Sequence, residues 1–217
     1  MSTEALTPTA RTTLNRRPQR GAYDRATLEA ILDAGMIGQI GYLMDGEPRI
    51  LPTLYWRTGE HIYWHGARES RALVAMAGHE VCFSVTLLDG LVMARSAFHH
   101  SANYRSVMAF GRAEAVLGEA AKLAASRALL DRLHPGRWDE VRAPSRAELA
   151  ATLFLRLPLT EASAKARTGP PIDPPRDLSQ PGWAGVLPVA LRAGRPEPAE
   201  DLRPGGAPLV TPEWLNR

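Results

Sequence analysis

The chain has 217 residues, 45% apolar and 23% charged, with 26 basic against 23 acidic residues and a net charge of +3. That is enough chain for one sizeable core with extended tails, in the balance of an ordinary soluble globular protein. It argues against membrane and nucleic-acid partners: no window holds 18 uninterrupted apolar residues, and the arginines are scattered rather than gathered in a stripe with interleaved aromatics.

Residues 1–20 are rich in Thr, Arg and Pro and lack an apolar stretch. They predict a flexible arm rather than a secretory signal, and so a cytoplasmic protein. Asp24 stands as the N-cap of a helix over 25–34, with Leu28, Ile31 and Leu32 at helical spacing and Gly35 as its stop. A strand over 36–44 runs into the hairpin signal Asp45-Gly46. Strands over 48–57 and 60–66 follow, joined at Thr58-Gly59. A short helix is predicted over 69–77. Residues 80–95 predict a strand, a Leu-Asp-Gly turn at 88–90 and a second strand. The apolar run around Cys82 makes that thiol a small buried hydrophobe, and a single cysteine has no internal disulfide partner. A long strand over 103–117 has Gly111 as a bulge or kink.

Residues 118–133 predict a helix with Leu123, Leu130 and Leu133 on one face, closed by His134-Pro135-Gly136. Ser145 and Glu148 form a capping box before another short helix. Residues 152–159 predict a strand, 167–182 a Pro- and Gly-rich crossing, and 183–189 a final short strand. The tail is polar and Pro-rich. The division is an arm at 1–20, a domain at 21–192 and a tail at 193–217. Tight turns between most strands favour an antiparallel, mainly β barrel with flanking helices over a parallel sheet.

The segment Tyr63–Leu73 carries the most chemistry: a strand end, a small-residue turn, then a helix start with Arg68, Ser70 and Arg71. Backbone N–H groups, a hydroxyl and fixed positive charge are what a phosphate requires. The same pattern also describes a capped surface helix with solvated arginines. His99 and His100 are adjacent, so on a regular strand they point to opposite faces and do not share a metal; no metal site is expected.

Several motifs in order resemble the FMN-binding split β-barrels of the pyridoxamine 5'-phosphate oxidase-like superfamily, in its flavin-nucleotide-binding, 5-nitroimidazole-reductase-like branch. They are Leu32 to Gly35, Pro48 to Pro52, Trp64 to Ala67, Asn103 to Val107, Phe110 to Arg112, Ser163 to Lys165, and Trp183 to Pro188. The resemblance implies an FMN-dependent oxidoreductase working as a homodimer on a small, nitro-aromatic-like acceptor. It places Arg49, Ile50, Leu51, Pro52 and Thr53 along the flavin ring. His65, Gly66, Ala67, Ser70 and Arg71 surround the phosphate and ring edge, with His65 also the candidate catalytic group. Tyr104, Arg105 and Ser106 approach the flavin at the dimer interface, and Trp183 covers it. The chain departs from pyridoxamine oxidase itself: no Lys follows Ser70-Arg71 and the C-terminus lacks Arg-Leu-x-Pro, against pyridoxal-phosphate synthesis. A non-catalytic flavin, deazaflavin or haem carrier on the same fold stays open, with His65, His99 or His100 as axial haem ligands.

Overall fold

A computed structural model describes residues 5–202, 209–212 and 215. Helix α1, Arg25–Ala34, starts where Asp24 accepts from the Thr27 backbone N–H at 2.8 Å, and it buries Leu28, Ile31 and Leu32. The Asp24 carboxyl is held below its ordinary range by that hydrogen bond to Thr27.

The strands are β1 (Gly21–Ala22), β2 (Ile37–Met44), β3 (Glu47–Leu54), β4 (Trp56–Thr58), β5 (His61–Ala67), β6 (Glu80–Met93), β7 (Ser101–Arg112), β8 (Glu114–Ala115), β9 (Thr152–Pro158), β10 (Ala162–Arg167) and β11 (Gly185–Pro188). They form two antiparallel sheets. One has the order β1-β10-β7-β6-β2-β3, with β11 added to β6, and the other is β4-β5-β9-β8. The sheets do not close into one ring: β3 and β4 are ends of their sheets, which is a split barrel rather than a closed one. Pro48 and Pro52 are tolerated because β3 is an edge strand, where a missing N–H costs no ladder bond on the open side.

Asp45 and Gly46 have φ of 56° and 79°. This is the left-handed pair that a tight hairpin requires. The barrel interior is filled by Ile40, Phe83, Val85, Val107, Ala109 and Leu157, all nearly inaccessible. Gly38 is required there, since an added Cβ would lie 2.4 Å from the Phe83 ring.

The structure corrects four expectations. The strand expected over 48–57 is two strands in different sheets, with the chain changing sheet at the fully buried Tyr55. No turn interrupts 88–90: β6 runs through, with a register shift between Leu88 and Gly90 against β7. The register shift is a bulge, and β7 and β11 supply the backbone partners that a turn would have forgone. The strand expected over 103–117 likewise breaks at Ala113 into β7 and β8, in different sheets. Finally, helix α3, Glu119–Leu133, buries Ala125, Ser126 and Leu129 rather than the three expected leucines.

Two short helices complete the fold. Helix α2 is Arg71–Met76 and α4 is Arg146–Ala151, the latter with the full Ser145–Glu148 capping box. The N-terminal arm lies on the sheet: Thr12 is buried, and Thr9 and Arg11 bond the Glu161 carboxylate.

Candidate functional site

Register sorts the expected site residues by face. Along β3, Ile50 and Pro52 point outward while Leu51 pairs with Ile40 toward the core. Tyr104 pairs with Leu88, and Ser106 with Thr86, on the same outer face. That face carries exposed apolar side chains: Ile37, Ile50 (71% exposed), Leu88 and Met108. The bulge at Leu88/Gly90 resets the alternation, so Leu91 and Met93 also remain on the exposed side. Arg105, between Tyr104 and Ser106, turns the other way and makes two bonds to Asp89, at 2.9 and 2.7 Å.

Gly66, Ala67, Ser70 and Arg71 come together where β5 runs into α2. The Ser70 hydroxyl faces the Leu73 N–H at 3.5 Å as the helix cap. Arg71 is 80% exposed and lies 3.6 Å from Asp45 at the β2–β3 turn, so this junction and the start of β3 are neighbours. Arg49 pairs with Glu47 on the same hairpin. Thr53 lies at the far end of β3. Trp183 is largely exposed, with its indole over Gly185 at the start of β11.

His65 stands apart from this group. Alternation along β5 sends Trp64 into the barrel and His65 to the other side of the sheet. There it lines a cavity of about 450 Å³ with Leu129, Trp138, Leu149 and Phe154, under α3 and α4. None of the other expected site residues lines that cavity. The His65 ring stacks on Phe154 with centroids 5.3 Å apart and meets the edge of Trp56. Its Nδ1 is buried with no hydrogen-bond partner among the described residues. Burial pushes its pKa below the ordinary histidine value, so it is neutral at pH 7. The cavity rim holds Arg142 and Glu148, bonded at 2.8 and 2.6 Å; Arg142 draws the Glu148 carboxyl down to about 2.

Sequence reasoning missed a second cavity, of about 570 Å³, lined by Arg16, Arg17, Arg20, Lys165 and Arg167 together with Phe98, His99, His100 and Ile172. Its one signal is Lys165 and Arg167, two apart and therefore on one face of a strand, in a segment whose small residues carry little strand propensity of their own. His99 Nδ1 meets the Ser96 hydroxyl at 2.6 Å and His100 Nδ1 the Ser96 carbonyl at 2.9 Å. Among the described residues no group of three or more His, Cys, Asp or Glu could hold a metal ion, and no helix is long and apolar enough to cross a membrane. Burial raises the pKa of Cys82, which leaves it a thiol.

Comparison with known proteins fits this geometry. The solved structure of the flavocytochrome Anf3 from Azotobacter vinelandii is 40% identical, superposes with a TM-score of 0.88, and the match covers 97% of each chain. The FAD and heme binding protein from Mycobacterium smegmatis is 37% identical with a TM-score of 0.83, over 91% of this chain and 96% of that one. A putative 5-nitroimidazole antibiotic resistance protein from Bacteroides thetaiotaomicron, 16% identical with a TM-score of 0.56 over 67% of this chain and 85% of that one, shares the fold. No curated protein sequence matches the chain. The sequence profile of the pyridoxamine 5'-phosphate oxidase family matches residues 24–166, which take in α1 and the strands from β2 through β9. A match over that span, together with relatives this similar along nearly their whole length, means that the chain belongs to the pyridoxamine 5'-phosphate oxidase family.

Proposed function

We propose that the protein is a homodimeric redox protein that binds a flavin and a haem. The observation that carries this reading is the similarity, at 40% and 37% identity over nearly the whole chain, to two proteins whose names join flavin or FAD with cytochrome or haem. The chain's own residues fit both groups. For haem, His65 offers a neutral imidazole in a cavity walled by Leu129, Trp138, Leu149 and Phe154 with the Arg142–Glu148 pair at its rim, its buried Nδ1 without a partner among the described residues. Stacking on Phe154 fixes the ring. Desolvation lowers its pKa and so keeps a proton from competing for the lone pair. For a flavin, the open edge of β3 offers unpaired backbone groups beside the exposed Arg71, with Ile50, Pro52, Tyr104 and Ser106 on the adjoining outer face.

When bound, the flavin supplies hydride and one-electron chemistry and the haem supplies one-electron and oxygen chemistry. The protein holds, orients and shields them. A second copy is the natural cover for the exposed apolar outer face, because patches of this kind on a monomer mark an interaction surface. The resemblance noted in the sequence points to FMN, whereas the mycobacterial relative binds FAD. Reduction of a small nitro-aromatic-like acceptor is the activity to assay once the loaded protein is in hand.

The test is the visible spectrum of the purified protein, with mass identification of the released chromophores. Flavin absorption together with a Soret band is expected. His65→Ala should lose the Soret band and keep the flavin, whereas His100→Ala should keep both. A protein that stays colourless after incubation with FMN, FAD and haemin sinks the proposal.

A further inference from the structure

We propose that the basic cavity between the N-terminal arm and β10 binds the diphosphate of a nucleotide. Five cationic side chains line it, Arg16, Arg17, Arg20, Lys165 and Arg167, and no carboxylate does. Elsewhere in the molecule arginines sit beside acids: Arg57 on Asp33, Arg95 on Asp173, Arg105 on Asp89, Arg156 on Glu114. None of the five has an acidic partner among the described residues.

Arg167 makes the point sharply. It is 7% exposed, and its guanidinium donates to neutral oxygens only: Asn103 Oδ1, the Gly169 carbonyl at 3.2 Å and the Pro170 carbonyl at 3.2 Å. Burial and the neighbouring charge of Arg20 both disfavour its protonated form. A buried cation beside a like charge is costly unless an anion completes the site. Arg17 adds a second sign: it is held at φ 60° and ψ 54°. That left-handed conformation disfavours any residue with a Cβ. Two or more arginine forks around one space suit a ligand with several phosphate oxygens.

Phe98, 90% exposed, and Ile172, 77% exposed, line the same cavity. They offer a flat apolar surface on which a base stacks, which distinguishes a nucleotide from bare pyrophosphate. The nucleotide diphosphate has two sources: the adenosine half of FAD, if the flavin of the proposed function is FAD, or a separate dinucleotide that delivers electrons.

The experiment is calorimetric titration of the protein as purified with ADP, with inorganic pyrophosphate and with adenosine, alongside measurement of bound flavin and haem. The variants are Arg20→Ala, Arg167→Gln and Phe98→Ala, with Arg146→Ala, an exposed arginine of α4 that does not line this cavity, as control. A separate dinucleotide site predicts that ADP binds, that Arg20→Ala weakens it at least tenfold, about the loss of one charge-assisted bond, and that flavin content is unchanged. An FAD site predicts that ADP does not bind the loaded protein and that Arg20→Ala and Arg167→Gln lower its FAD content. Arg20 is only half-buried, so Arg20→Ala separates binding from folding if Arg167→Gln is unstable. The proposal is overturned if ADP does not bind and flavin content survives both variants. It is overturned equally if the variants lose the Soret band and keep the flavin, which would assign the cations to haem carboxylates.

Discussion

At the scale of single residues, two buried polar groups carry opposite consequences. Tyr55 is fully buried and donates its hydroxyl to the Leu32 carbonyl at 2.7 Å, and burial raises its pKa above the ordinary tyrosine value. Tyr55→Phe leaves that carbonyl only the longer bond from the Gly35 N–H, at 3.3 Å, and should cost about 0.5–1.5 kcal/mol in urea unfolding. His65 instead affects the pH profile. Well above the ordinary histidine pKa of about 6.5 it is neutral in both folded and unfolded chains and contributes no dependence. Below that, the unfolded chain takes a proton that the desolvated ring resists, so stability falls as pH falls toward the folded pKa. His65→Phe should flatten this acid-side slope. It will not abolish it, because burial and Arg156 lower His61 in the same direction. An unchanged slope would mean that His65 is solvated. Burial of this kind was not legible in the sequence: His65 follows Trp64 and precedes Gly66 in an ordinary strand end, and only β9 and α3, distant in the chain, determine that it is enclosed.

At the scale of elements, local signals were reliable and non-local ones were not. Asp24, Asp45-Gly46 and Ser145 with Glu148 declare their caps and turn within four residues, and the structure has all three. The Leu-Asp-Gly at 88–90 offers an equally good local turn signal, yet pairing with β7 and β11 overrides it as a bulge. Strand β10 was hidden for a related reason. Its Ala162, Ser163 and Ala164 have little strand propensity of their own and are held by β7 and β1. The wall of the His65 cavity depends on one such non-local device. Lys122 on α3 donates to the Leu149 carbonyl at 2.8 Å and the Thr152 carbonyl at 2.7 Å, tying α3 to the end of α4 and the start of β9. Lys122→Met should loosen that wall, costing about 1–3 kcal/mol; with haem in the cavity as proposed, it should also broaden the Soret band without altering flavin content.

At the scale of the whole molecule, the motif order pointed to the split barrel from sequence alone, while the faces of its strands became known only from register. The outer face that carries Ile50 and Met108 predicts the assembly state. Ile50→Glu or Met108→Glu should convert a dimer to a monomer in light scattering, and should release flavin if the cofactor is bound between copies. A monomeric wild-type protein would remove the partner from the proposed function. The chain also passes between the sheets twice without a linker, at Tyr55 and at Ala113, whose backbone bonds to Gly78 and His79. Each crossing is a rigid, hydrogen-bonded corner rather than a hinge, so neither sheet can unravel while the other stays intact. Amide protons of β5 in the small sheet and β7 in the large one should therefore exchange through the same global opening, and a ligand that tightens either sheet should slow exchange in both.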